Sequence, residues 1–131
     1  MQAKDILYVR RGSYRIGSVA MASPYDLKCI LTREIKVMRI IDSNNKYGIT
    51  PEYLLYALSH KMVFEQAQNK IFIDTTLPNI AERWTELKIP VFNDIEKFNS
   101  VKLMAKDIVS QQWGSLEGIH KMKCSYDVYN T

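Results

Sequence analysis

The feature that most constrains this fold is a change of apolar period across one polar turn. Upstream of Asp42 the β-branched, aromatic and other apolar residues tend to alternate with polar ones, whereas downstream of Thr50 they recur every third or fourth position. A pleated strand has a period of two and a helix one of 3.6, so a sheet and helices must follow one another along the chain. Strands are expected over residues 6–10, 16–21 and 34–41, punctuated by Gly12-Ser13 and Ser23-Pro24. The fold class is therefore α+β: a small, mainly antiparallel sheet in the N-terminal third packed by helices, followed by a long C-terminal helix. In the third strand the period of two assigns Ile35, Val37 and Ile41 to a buried face. Glu34, Lys36 and Met38 are left on a face open to contacts.

The turn itself, Asp42-Ser43-Asn44-Asn45-Lys46-Tyr47-Gly48, leads to Thr50 as an N-cap and Pro51 at the first helical position. A helix is expected over 51–68, with Tyr53, Leu54, Leu55, Tyr56, Leu58 and Met62 as its core face. An extended piece at Ile71-Phe72-Ile73 and the turn Asp74-Thr75-Thr76-Leu77-Pro78 come next. Asn79 with Glu82 then has the spacing of a capping box for a brief helix ending near Leu87. Residues 87–91 read as a strand whose Pro90 argues for an edge or a strand end. Beyond Asn93 and Glu96, the stripe Ile95, Phe98, Val101, Ala105, Ile108 and Val109 marks a helix running to Trp113 or past it. Gly114 and Gly118 weaken its continuation, so 116–122 is expected as a separate or frayed turn. The units are residues 5–92, the C-terminal helix within 93–122, and a tail at 123–131.

A chain of 131 residues is long enough for one domain with a core. Cys29 and Cys124 lie far apart with no CxxC pairing, so neither a disulfide framework nor a zinc site is indicated and a reducing cytoplasm fits best. The apolar runs fall far short of the ~20 residues that span a bilayer, and no membrane partner is expected. The first strand starts almost at once, as though the chain began partway through a domain. His60 and His120 are isolated, and Gly12, Gly17 and Gly48 form no phosphate-cradling loop, so no metal or cofactor is expected. Trp84 and Trp113 read as packing anchors.

The formal net charge of +4 acquires meaning from its distribution. Residues 1–46 hold nine basic residues against four acidic ones, while residues 47–131 hold nine against ten. All of the excess lies in the N-terminal third, mixed with tyrosines and hydroxyls as on a phosphate-contacting surface. The densest constellation is Arg10-Arg11-Gly12-Ser13-Tyr14-Arg15, whose guanidiniums can give bidentate hydrogen bonds to phosphate or to guanine edges. The plainer reading is a solvated basic hairpin turn. A second constellation, Pro24-x-Asp26 followed by Glu34-x-Lys36, has a nuclease-like arrangement in which two carboxylates could hold Mg²⁺ and a lysine assist hydrolysis. Its plainer reading is an exposed strand with alternating charges.

Taken in order, Asp5-Ile6-Leu7-Tyr8-Val9-Arg10-Arg11-Gly12-Ser13, Ile16-Gly17-Ser18-Val19-Ala20, Leu31-Thr32-Arg33-Glu34-Ile35, Ile49-Thr50-Pro51-Glu52-Tyr53-Leu54-Leu55, Thr75-Thr76-Leu77-Pro78-Asn79-Ile80 and Leu87-Lys88-Ile89-Pro90 resemble the later part of a target recognition domain. Such domains belong to the DNA-specificity subunits of type I restriction-modification systems and to fused adenine-N6 methyltransferases with restriction activity. The resemblance spans roughly residues 5–112 and departs from the family at Phe92, where a second proline is usual. It implies a domain that reads a DNA half-site, here without its N-terminal part, followed by a spacer helix that docks on a methyltransferase domain or subunit, with a restriction subunit as a further candidate partner. On this basis Arg10, Arg11, Ser13, Tyr14, Arg15, Arg33 and Lys36 face double-stranded DNA, with Thr75, Thr76 and Asn79 in a second loop. The catalytic signature of the amino-methyltransferases, Asn or Asp followed by Pro-Pro and an aromatic, is missing from the sequence. The chain is thus expected to be non-enzymatic, with chemistry supplied from another domain or subunit.

Overall fold

A computed structural model describes residues 1–12, 16–25, 31–42, 44–71 and 80–125, with 123–125 as backbone alone. Within them lie three strands, β1 (Ile6–Val9), β2 (Val19–Met21) and β3 (Ile35–Met38), and three α-helices, α1 (Pro51–Ser59), α2 (Lys61–Gln68) and α3 (Ile95–Ser125). A 3₁₀ turn at Arg83–Glu86 precedes α3. The protein is α+β, and its sheet is antiparallel throughout in the order β2-β1-β3.

The strand register decides which face is buried, and it reverses the expectation for the third strand. Ile6 pairs with Met21 and Met38, and Tyr8 pairs with Val19 and Lys36. Directly paired residues share a face. That face carries the core: Ile6 and Tyr8 are buried with Ile16, Leu58, Val63 and Ile80, and Met21, Val19 and Met38 pack at its margin. Lys36 and Met38 therefore stand on the core side, Ile35 and Val37 stand on the opposite side, and Ile41 is almost fully exposed beyond the strand end. Alternation gave the period correctly, but β3 is apolar at Ile35, Val37 and Met38 alike, so the sequence pattern alone did not fix its phase.

Helix α1 starts as its cap predicts, with Thr50 Oγ1 accepting from Tyr53 N at 3.2 Å and Pro51 in the first turn. Asn45 holds the approach to that cap, since its amide donates to the Asp42 and Ile49 carbonyls and accepts from Ile49 N. The expected single helix over 51–68 is broken at His60, whose extended backbone ends α1 and whose Nδ1 accepts from Met62 N to open α2. The break redirects the second half: Met62 is half-exposed, and Val63 and Ala67 become the buried face of α2. Helix α1 has apolar groups on two sides. Leu54 and Leu58 face the sheet, while Tyr53 and Ala57 meet Phe98 of α3, with the Tyr53 and Phe98 rings edge to face at 4.8 Å.

Residues 87–91 are irregular rather than a strand. Their polar backbone is satisfied by helix side chains: Lys88 N donates to Gln66 Oε1 at 2.8 Å, Gln66 Nε2 donates to the Lys88 carbonyl at 3.0 Å, and the Tyr53 hydroxyl donates to the Pro90 carbonyl. Helix α3 runs unbroken through Gly114 and Gly118 for 31 residues, about 46 Å at 1.5 Å per residue. Two interior glycines cost about 1 kcal/mol each, too little to stop a long helix that also carries the Glu117–Lys121 ion pair. Of the expected stripe, Phe98, Val101, Ala105 and Val109 lie against the body, whereas Ile95 and Ile108 are exposed.

Candidate functional site

Of the residues singled out by sequence, Arg10, Arg11, Arg33 and Lys36 are described; Ser13, Tyr14, Arg15, Asp26, Thr75, Thr76 and Asn79 lie outside the described residues. The four described cations gather at one end of the sheet. Arg10 N donates to the Glu34 carbonyl at 2.9 Å as β1 leaves the sheet, and Arg10 Nε donates to the Arg33 carbonyl at 3.2 Å. Lys36 is one step along β3, opposite Tyr8. The Arg11 side chain is half-buried, and its Nε has no hydrogen-bond partner among the described residues. Arg33 is exposed and in no ion pair among the described residues.

Glu82 was expected to serve only a helix cap, yet it is the hub of this cluster. Its Oε1 accepts from Arg10 Nη1 at 2.6 Å, and its Oε2 accepts from the Trp84 indole nitrogen at 2.8 Å and lies 3.8 Å from Lys36 Nζ. The Lys36 ammonium also sits over the Trp84 ring, 5.2 Å from its centroid. The indole hydrogen bond, with Lys36 and Arg10 adding to it, holds the Glu82 carboxyl below the usual carboxylate range. Backbone geometry delivers the residue to this position. Ile80 N donates to the Arg10 carbonyl at 3.0 Å, buried Ile80 anchors the segment in the core, and Ala81 turns through the left-handed region immediately before Glu82. Although the carboxylate is pinned from three sides, its side chain remains 65% exposed.

The second charged pair is structural in character. Arg39 clasps Asp5 with two hydrogen bonds, at 2.7 and 2.8 Å, and Asp5 also accepts from Gln2 N. The Asp5 side chain is buried, and Arg39 holds its carboxyl below the ordinary value. Among the described residues no three metal-ligating side chains converge, and the Lys36 amine of the nuclease-like arrangement is engaged by Glu82.

On the far side of α1, an apolar groove of about 370 Å³ runs between α1 and α3, lined by Leu55, Tyr56, Val101, Met104, Ile108 and Val109. Leu103, Met104, Ile108, Ile119 and Met122 of α3 are at least half-exposed. The molecule is thus an α+β protein with a cationic cluster at one end of its sheet and an apolar helical surface elsewhere. None of its described helices is long and apolar enough to cross a membrane. Comparison with protein-family models, with curated proteins and with solved structures finds no match to this chain.

Proposed function

We propose that this chain is a sequence-specific DNA-recognition module that gives target specificity to a restriction-modification adenine-N6 methyltransferase and nuclease, resembling the recognition domains of type I specificity subunits. The observation that carries the reading is the gathering of Arg10, Arg11, Arg33 and Lys36 at one end of the sheet, where the Glu82 carboxylate pairs with Arg10 and Lys36 and leaves Arg33 without an ion pair among the described residues. Exposed Arg33 and half-buried Arg11 neutralise backbone phosphates, which supplies affinity and register. On this reading base edges are read by Arg10, Ser13, Tyr14 and Arg15 together with Thr75, Thr76 and Asn79. The chain itself carries no chemistry on this reading; methyl transfer and cleavage come from a partner domain or subunit that seats on the apolar surface of α3 in the cytoplasm.

Selection from a pool of random duplexes tests the recognition claim. Repeated enrichment should recover one common half-site, whereas retained duplexes with no shared motif would overturn it. A second reading is favoured by one observation, the exposed apolar residues of α3: a protein-interaction module in which this helix pairs with a copy of itself. Sedimentation equilibrium decides that reading, since a concentration-independent monomer excludes it.

A further inference from the structure

The arrangement around Glu82 is that of an oxyanion receptor filled by the protein's own side chain. An arginine, a lysine and an indole N–H from three separate stretches of chain converge on one carboxylate, which is itself largely open to solvent. Such donors suit a phosphate oxygen as well as they suit a carboxylate oxygen. Glu82 contributes little to the core, because its contacts are these polar ones at the surface. A side chain used only to tie the 3₁₀ turn to the sheet has no need of three donors of different kinds, whereas a receptor for an exchangeable anion does.

We propose that Glu82 occupies a phosphate-binding site formed by Arg10, Lys36 and Trp84, and that an incoming phosphate displaces it. The inference rests on the DNA reading for the source of that phosphate, a nucleic-acid backbone, but not for the receptor itself. It gives the cluster a selectivity device. A single weak anion does not outcompete a tethered carboxylate, whereas a polyanion already held by Arg11 and Arg33 presents its next phosphate at high effective concentration. The exposed carboxylate then swings into water while Arg10 and Lys36 close on phosphate.

The test uses the full chain and its Glu82→Gln variant, in which the amide still accepts from the indole but no longer pairs with the cations. Inorganic phosphate is titrated at constant ionic strength, with sodium chloride as the control, while the indole N–H resonances of Trp84 and Trp113 are followed by NMR. The parent should show no saturable shift. Glu82→Gln should show a saturable shift of Trp84 alone, abolished by adding Arg10→Ala. Absence of the shift in Glu82→Gln, or its survival with Arg10→Ala, overturns the proposal; Glu82→Ala, read the same way, covers a failure of the first variant to fold. In a second arm, duplex DNA should bind Glu82→Gln about three- to tenfold more tightly than the parent with a similar salt slope, because both complexes place a phosphate on Arg10 and Lys36. A slope steeper by about 1 to 2 in Glu82→Gln would show that DNA does not displace Glu82 and overturn that step. If phosphate fills the receptor of Glu82→Gln while both proteins ignore duplex DNA, the receptor stands and nucleic acid is excluded as its source.

Discussion

Arg10 and Glu82, 72 residues apart in the chain, meet at 2.6 Å across the end of the sheet. The contact joins the residue just after β1 to the turn before the 3₁₀ helix, and it sets one carboxylate from the near-neutral remainder against two of the N-terminal cations, Arg10 and Lys36. Because the carboxylate is exposed and screened, the pair governs what the surface binds more than how stably the chain folds. Glu82→Gln is therefore expected to melt within the range of ordinary surface substitutions. Thermal unfolding by circular dichroism checks this, and a large drop in Tm would mean that the hub is a structural brace.

The Asp5–Arg39 pair should behave in the opposite way. Arg39 lowers the folded-state pKa of buried Asp5, with the Gln2 N–H assisting against the opposing effect of burial. Since the unfolded carboxyl takes up its proton first as pH falls, the stabilisation is complete above the unfolded value of about 3.9 and is lost as pH drops through the lower folded value. Urea unfolding should show stability declining below about pH 4, and Asp5→Asn should remove that part of the decline while costing about 1.5–3 kcal/mol at neutral pH.

Much of the fold was legible in the sequence because its signals are local. Thr50-Pro51 announced α1, alternation announced three strands, and the stripe from Phe98 to Val109 announced the contact face of α3. Two failures were local, the break at His60 and the run of α3 through Gly114 and Gly118; the others depended on partners distant in the chain. The phase of β3 is set by pairing to β1 and by the helices on one face, and residues 87–91 lose a strand because Gln66 and Tyr53 take their hydrogen bonds. The site was half legible for the same reason. A cluster of arginines is visible in composition, but Glu82 and Trp84 enter it only through folding, and the spacing of Glu82 from Asn79 suggested a local cap instead.

Gly17 is required by both conformation and space. Its φ of +94° lies in the region that side chains avoid, and a Cβ there would stand 2.9 Å from the Phe64 ring of α2. Gly17→Ala should destabilise the protein by about 1–3 kcal/mol, measured as a shift of the urea midpoint at constant slope. An unchanged midpoint would show that α2 gives way freely.

Tyr8 is buried in the core, and its hydroxyl has no hydrogen-bond partner among the described residues; burial pushes its ionisation up to about 12. Removing a buried polar atom without a partner relieves its desolvation penalty. Tyr8→Phe is expected to leave stability unchanged or to raise it by about 1 kcal/mol, and a loss of that size would reveal a partner for the hydroxyl.

The central claim is that the cations at the end of the sheet meet the phosphates of duplex DNA. Its most direct test is the affinity of the full chain for duplex DNA from about 50 to 200 mM salt, with log K plotted against log salt concentration. The account predicts a linear fall whose slope becomes shallower by about 1 in Arg11→Ala and again in Arg33→Ala. Binding that ignores salt, or a slope untouched by both substitutions, would contradict it.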